Sequence, residues 1–198
     1  MTVVTTIKNG VDVPRLMTMV EDVKREPWKG HLEFKLRSEW QGGFQARHTA
    51  GDYVIGDQTL KRQAPNTVTS DEPPEILGKD AGPSPTDLLL SALGACLTVG
   101  YAANAAARGI DIKELRLEID ANGDLQGFMN LNDVRPGLSD VSVKVHIKAN
   151  APQEQLQELH DYVTAHSPIR DYHQQPGDGQ VGAGSRVGAT TSSRSACV

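Results

Sequence analysis

Cysteine is nearly missing from this chain: 198 residues hold two, Cys96 and Cys197. A secreted domain stapled by disulfides needs more of them at closer spacing, so this usage favours a reducing, cytoplasmic setting. A basic excess is missing too. Twenty Lys+Arg stand against 25 Asp+Glu, a formal net charge of −5, which lacks the footprint of a protein that grips phosphate backbones. No nucleic acid is expected as a partner. Residues 1–10 show no basic stretch running into an apolar one, so no signal peptide is expected there.

Motif chemistry is equally sparse. None of the six histidines (31, 48, 146, 160, 166 and 173) stands in H-E-x-x-H or in a His/Cys zinc pattern. The glycines at 42, 43, 78, 82, 94 and 100 match neither a P-loop nor G-x-G-x-x-G, and no G-x-S-x-G elbow surrounds a serine. No metal and no bound cofactor are expected. Leu88 to Ala107 carries no charge and is long enough to span a bilayer. Yet it holds Ser91, Thr98, Tyr101 and Asn104 and has no second candidate beside it, so it reads as the buried central helix of a soluble domain, with no membrane partner.

What remains suffices for one core. The chain is 38% hydrophobic and 23% charged, with no internal repeat. Residues 12–26 predict an amphipathic helix, capped by Asp12, with Pro14 in its first turn and Leu16, Met17, Val20 and Val23 on one stripe. His31 to Trp40 alternates as a strand, turns at Gly42-Gly43 and returns through Phe44 to Thr49. Residues 50–83 predict a short strand at Tyr53-Val54-Ile55 and then a long surface connection.

A long helix follows with Ser84 as cap, Pro85 at its first position, Asp87 completing a capping box and Arg108-Gly109 ending it. It is apolar on nearly every face, so other elements must wrap it. Glu114 to Asp120, Leu125 to Leu131 and Val141 to Lys148 predict strands. A last helix carries Leu156, Leu159 and Val163 and stops at Pro168. From Gly177 to Val198 the composition turns to Gly, Ser, Thr, Ala and Arg, which predicts a disordered tail bearing Cys197 as an incidental thiol. The expected organisation is an extension over 1–27, a domain over 28–176 and a tail over 177–198. The expected class is α+β, helices against antiparallel sheet.

Cys96 lies midway along the long helix. Such a cysteine is either a small packed hydrophobe or a reactive thiol. The helix dipole fades within the first turn, and Cys96 stands some three turns in, so a thiolate there needs a cation from another segment. Arg37 and Arg47 on the first hairpin are the candidates.

The run from Gly82 through Ser84-Pro85-Thr86-Asp87-Leu88-Leu89 to Gly94-Ala95-Cys96 resembles the signature of the OsmC/Ohr family. The preceding Asp71-Glu72-Pro73-Pro74-Glu75-Ile76-Leu77-Gly78 resembles the same family's acidic loop. The resemblance implies an OsmC-like fold: an intertwined homodimer whose long central helices are wrapped by curved antiparallel sheets. It implies a thiol peroxidase acting on organic hydroperoxides in oxidative-stress defence, with Cys96 as the peroxidatic thiol. Arg47 matches the arginine that holds the thiolate. Glu75 matches the orienting carboxylate, with Glu72 the alternative. Relatives carry a resolving cysteine where this chain has Ser167. A one-cysteine cycle regenerated by an external thiol is therefore expected. Leu89, Leu93 and Leu97 would wall a site for bulky organic peroxides. The alternative reading is a non-catalytic binder, in which the dimer holds a small hydrophobic ligand and Cys96 merely packs.

Overall fold

A computed structural model describes residues 6–174 of the chain; Cys197 and the expected tail lie outside the described residues. A two-stranded hairpin, β1 (Ile7–Lys8) and β2 (Val11–Asp12), leads into α1 (Val13–Arg25). Asp12 caps that helix by accepting the Arg15 N–H at 3.0 Å, and Pro27 opens a 3-10 turn beyond it. Asn9, at a left-handed φ of 52°, then ties the extension down: its amide donates to the Ile110 carbonyl and accepts the Ile112 N–H.

The expected hairpin forms as β3 (Leu32–Gly42) and β4 (Gln45–Ile55). Its turn has positive φ at Gly42 and Gly43, 106° and 57°, a conformation open to glycine at no steric cost. Along the second edge of β4 lie β5 (Gln58–Leu60) and then β6 (Asn66–Ser70), all antiparallel. The long connection expected over 50–83 is therefore much shorter. Tyr53 to Ile55 end β4, and the irregular chain is split into a short stretch over 61–65 and the loop after Ser70. Thr67, Val68 and Thr69 suit a pleated surface, but Val68 is the one apolar residue of Asn66–Ser70, which hides a strand from hydropathy.

The central helix α2 (Pro85–Ala107) starts with a full capping box, the Asp87 N–H donating to Ser84 Oγ and the Ser84 N–H to Asp87 Oδ2. It ends at Arg108, with Gly109 at φ 74° beyond. Behind it, β7 (Ile112–Asn122) and β8 (Asp140–Ala149) form a two-stranded antiparallel sheet. The strand expected at Leu125 to Leu131 is instead a short helix, α3 (Leu125–Phe128), followed by turns. Asp124 caps it by accepting the Gln126 N–H, and Asn130, Asn132 and Asp133 adopt positive φ, which a strand cannot absorb. Finally α4 (Gln153–Ala165) and α5 (Pro168–Gln174) close the described chain.

The core is one stripe of α2 (Leu93, Leu97, Tyr101 and Ala105) against Leu156, Leu159 and Val163 of α4, floored by Leu115, Leu117, Ile119, Val143, Val145 and Ile147 of the sheet. At Gly100 a Cβ would lie 2.8 Å from Val163 Cγ1, so glycine lets α2 and α4 approach this closely. Buried Tyr101 meets His160 Nδ1 at 2.6 Å. Burial, with the charge of Asp161, pushes its phenol up to about 12, so it stays protonated.

Among the described residues, the single chain leaves surfaces open on α2 and on the four-stranded sheet. The α2 side bearing Ser91, Ala92, Ala95, Thr98 and Val99 is exposed, so the wrapping of this helix covers one flank only. The four-stranded sheet packs mainly on itself rather than on α2. One of its faces presents Leu32, Phe34, Leu36 and Trp40 to solvent, with Trp40 77% exposed. The fold is thus α+β, with antiparallel sheets and helices as expected. Length and composition alone would let α2 cross a membrane, but its buried stripe is what the core is built on.

Candidate functional site

Cys96 is a free, half-buried thiol on α2. Its Sγ lies 3.3 Å from Ser167 Oγ, across 71 residues of sequence. Ser167 is 5% exposed and sits at the break between α4 and α5. Pro168 makes that break, since its ring cannot continue α4 yet suits the first turn of a new helix. Around it, the Arg170 N–H donates to Ser167 Oγ at 3.3 Å and the Asp171 N–H to the Ser167 carbonyl at 2.9 Å. The Arg170 guanidinium donates to the Thr164 carbonyl at 2.9 Å and clamps the end of α4 over the same turn.

The other predicted site residues lie elsewhere. Arg47 is exposed on β4 opposite Glu39 and Thr69, and side-chain alternation turns it to the face away from Trp40. Arg37 is exposed on the same side of β3. Glu75 is exposed on a 3-10 turn, Pro74–Ile76, and Glu72 is half-buried at the start of that loop. Among the described residues no cation touches Cys96 within the single chain; its polar contact is Ser167. Leu93 and Leu97 are closed into the core at 2% and 1% exposure, and Leu89 is half-buried on the same helix. In one chain these leucines are packing residues before they are walls.

The loop carrying Glu72 and Glu75 is organised by a residue that sequence reasoning passed over. Asp71, 1% exposed, accepts the Glu72 N–H through Oδ1. Its Oδ2 takes the Lys79 and Ala81 N–H groups and the Gln45 amide, at 3.1, 3.2 and 3.1 Å. At Gly78 a Cβ would sit 1.6 Å from the Glu72 carbonyl oxygen, and at Gly82 2.1 Å from that of Thr69, so the loop is folded tightly on itself. Burial alone would raise the Asp71 carboxyl. The hydrogen bonds from Gln45 and from the backbone of Glu72, Ala81 and Lys79 outweigh it and hold the carboxyl below its ordinary value.

The sign of the pH effect follows. A carboxyl with a depressed folded-state pKa stabilises the fold fully above the unfolded value of about 3.9, and that contribution is lost as pH falls through the folded value. The 71–83 loop is thus expected to lose amide-exchange protection at Lys79 and Ala81 below about pH 4, and Asp71→Asn should produce that loss already at neutral pH. Unchanged protection in the variant would contradict this role. Gln45 and Arg170 also went unnoticed. A Ser-Pro-x-Arg pattern, with a hydroxyl placed to receive the N–H three residues on, was the one available signal for Arg170.

A buried hydroxyl thus faces a half-buried thiol on a central helix set between antiparallel sheet and a second helix, in an α+β fold. The OsmC-like protein family model matches residues 78–176, half of the 198, and the chain belongs to that family. Among solved structures it resembles an OsmC-like protein from Mycoplasma pneumoniae, at 20% identity and a TM-score of 0.55, covering 73% of this chain and 89% of that one. It also resembles a protein from Psychrobacter arcticus described as induced by osmotic stress and serving detoxification, at 19% identity and a TM-score of 0.52, covering 69% and 85%. No curated protein matches it by sequence.

Proposed function

We propose that this protein is a thiol peroxidase that reduces organic hydroperoxides through Cys96, in a one-cysteine cycle that an external thiol regenerates. The observation that carries the reading is the Cys96–Ser167 pair: a free thiol on the central helix, held 3.3 Å from a hydroxyl at the position where the family resemblance implies a second thiol.

In the first step the Cys96 thiolate attacks the outer oxygen of ROOH. An S–O bond forms and the O–O bond breaks, giving a sulfenic acid and an alkoxide that takes a proton from water. Sulfur is oxidised by two electrons and the peroxide is reduced by the same two. Ser167 cannot condense with the sulfenic acid. A small or protein-borne thiol does so with loss of water, and a second thiol then releases Cys96 as a disulfide leaves. No bound cofactor takes part, and a reducing cytoplasm supplies the thiols.

The cation belongs to a second copy. Arg47 and Glu75 are exposed, and the sheet that carries Arg47 leaves its own α2 uncovered. We assign the working form to an intertwined homodimer, which encloses the hairpin on both faces. It brings Arg47 and Glu75 (or Glu72) of the partner subunit toward Cys96, while Leu32, Phe34, Leu36 and Trp40 are buried. The guanidinium stays charged when desolvated and so favours thiolate over thiol.

The test is a single turnover. One equivalent of cumene hydroperoxide followed by dimedone should add one dimedone mass at Cys96, and Cys96→Ser should abolish both the adduct and peroxide consumption. Absence of the adduct in the unmodified protein would leave the packed-thiol reading, a dimer that binds a small hydrophobic ligand.

A further inference from the structure

We propose that Ser167 is a catalytic residue of this site: its hydroxyl donates to the Cys96 sulfur and stabilises the thiolate that attacks. This rests on the reading of Cys96 as the peroxidatic thiol and adds to it a donor from within the same chain.

The direction of the hydrogen bond follows from what surrounds Oγ. A serine hydroxyl has one proton and two lone pairs. The Arg170 N–H occupies one lone pair. Among the described residues Cys96 Sγ is the one acceptor within hydrogen-bond distance of that oxygen, so once the thiol is ionised the hydroxyl proton points at sulfur. The site is also built to hold this geometry. Ser167 is nine-tenths buried, Pro168 fixes the chain beyond it, and Arg170 engages it from one side while gripping the Thr164 carbonyl on the other. With little water to compete, a donor aimed at a half-buried anion is worth more than the same bond at the surface.

Replacing a thiol by a hydroxyl at this position therefore does more than remove a resolving group. Stronger as a donor than S–H and unable to form a disulfide, the hydroxyl favours the attacking anion, and once oxygen has been transferred it leaves the sulfenic acid open to an external thiol. No electron or bond is exchanged with Ser167 itself; it changes hydrogen-bond strength only.

The experiment follows the pH dependence of Cys96 alkylation by iodoacetamide, resolved by peptide mass spectrometry so that Cys197 does not interfere. Ser167→Ala is expected to move the half-maximal pH upward by about one unit, the size expected for a lost hydrogen bond to a charged group. The pseudo-first-order rate with cumene hydroperoxide at neutral pH should fall about tenfold. Ser167→Thr keeps the hydroxyl and should return both values toward the unsubstituted protein. Loss of the α5 cap alone would lower the melting temperature without moving the pH midpoint, and a Ser167→Ala profile superimposed on the original would overturn the assignment while a dimedone adduct at Cys96 left the peroxidase reading standing. No adduct in the unsubstituted protein would remove both.

Discussion

Ser167→Cys is expected to turn a one-thiol response into a two-thiol response. In the unsubstituted protein one equivalent of hydroperoxide should consume one titratable thiol and leave a sulfenic acid that dimedone traps. In the variant the same equivalent should consume two thiols and leave nothing for dimedone. The Sγ–Oγ distance of 3.3 Å is close enough that side-chain rotation and a small shift at the Pro168 break can bring two sulfurs to the bonding distance of about 2.05 Å. The new bond would close a span of 71 residues, for which loop-closure entropy gives up to about 4 kcal/mol of stabilisation. At about 2–4 °C per kcal/mol for a domain of this size, the oxidised variant should melt some 10 °C above its reduced form. A thiol count that falls by one, with no rise in melting temperature, would show that the two positions do not meet in solution.

Phe34→Glu combined with Trp40→Glu should separate the dimer without harming the single chain. Both side chains are exposed in one copy, on a sheet that packs mainly on itself, so carboxylates there cost the isolated fold little. Enclosed in an interface the same carboxylates are buried without partners, a penalty of several kcal/mol. Sedimentation should then show a monomer with unchanged helical and strand content. If Arg47 and Glu75 reach Cys96 only across the dimer, hydroperoxide reduction should fall by about a hundredfold or more, since each 1.4 kcal/mol lost is tenfold. A variant that stays dimeric, or a monomer that keeps full activity, would contradict the assigned interface.

How much of this was legible in the sequence depended on whether the signal was local. The ends of α2 were, because Ser84, Pro85, Asp87 and Gly109 act within a turn of themselves. The β3–β4 hairpin was legible for the same reason, through strict alternation and a glycine pair. Strand β6 was not, since it is held by its register with β4, Arg47 against Thr69 and His48 against Val68, rather than by its own composition. The α3 helix was missed because a cap at Asp124 and left-handed asparagines count for more there than Leu125, Phe128 and Leu131. Family likeness placed Cys96 and Ser167. Spacing within the chain placed neither Asp71 with Gln45, 26 residues apart, nor the grip of Arg170 on the α4–α5 turn, because such pairs exist only after folding.

The amide of Asn9 has a wider consequence. By donating to the Ile110 carbonyl and accepting the Ile112 N–H, one side chain does for the start of β7 what a neighbouring strand would do. The stretch recognised by the family model begins only at Gly78, already beyond Asp71 and the strand that holds it. A fragment cut to those limits would therefore start inside a knot of backbone contacts and leave bare amides at its far rim.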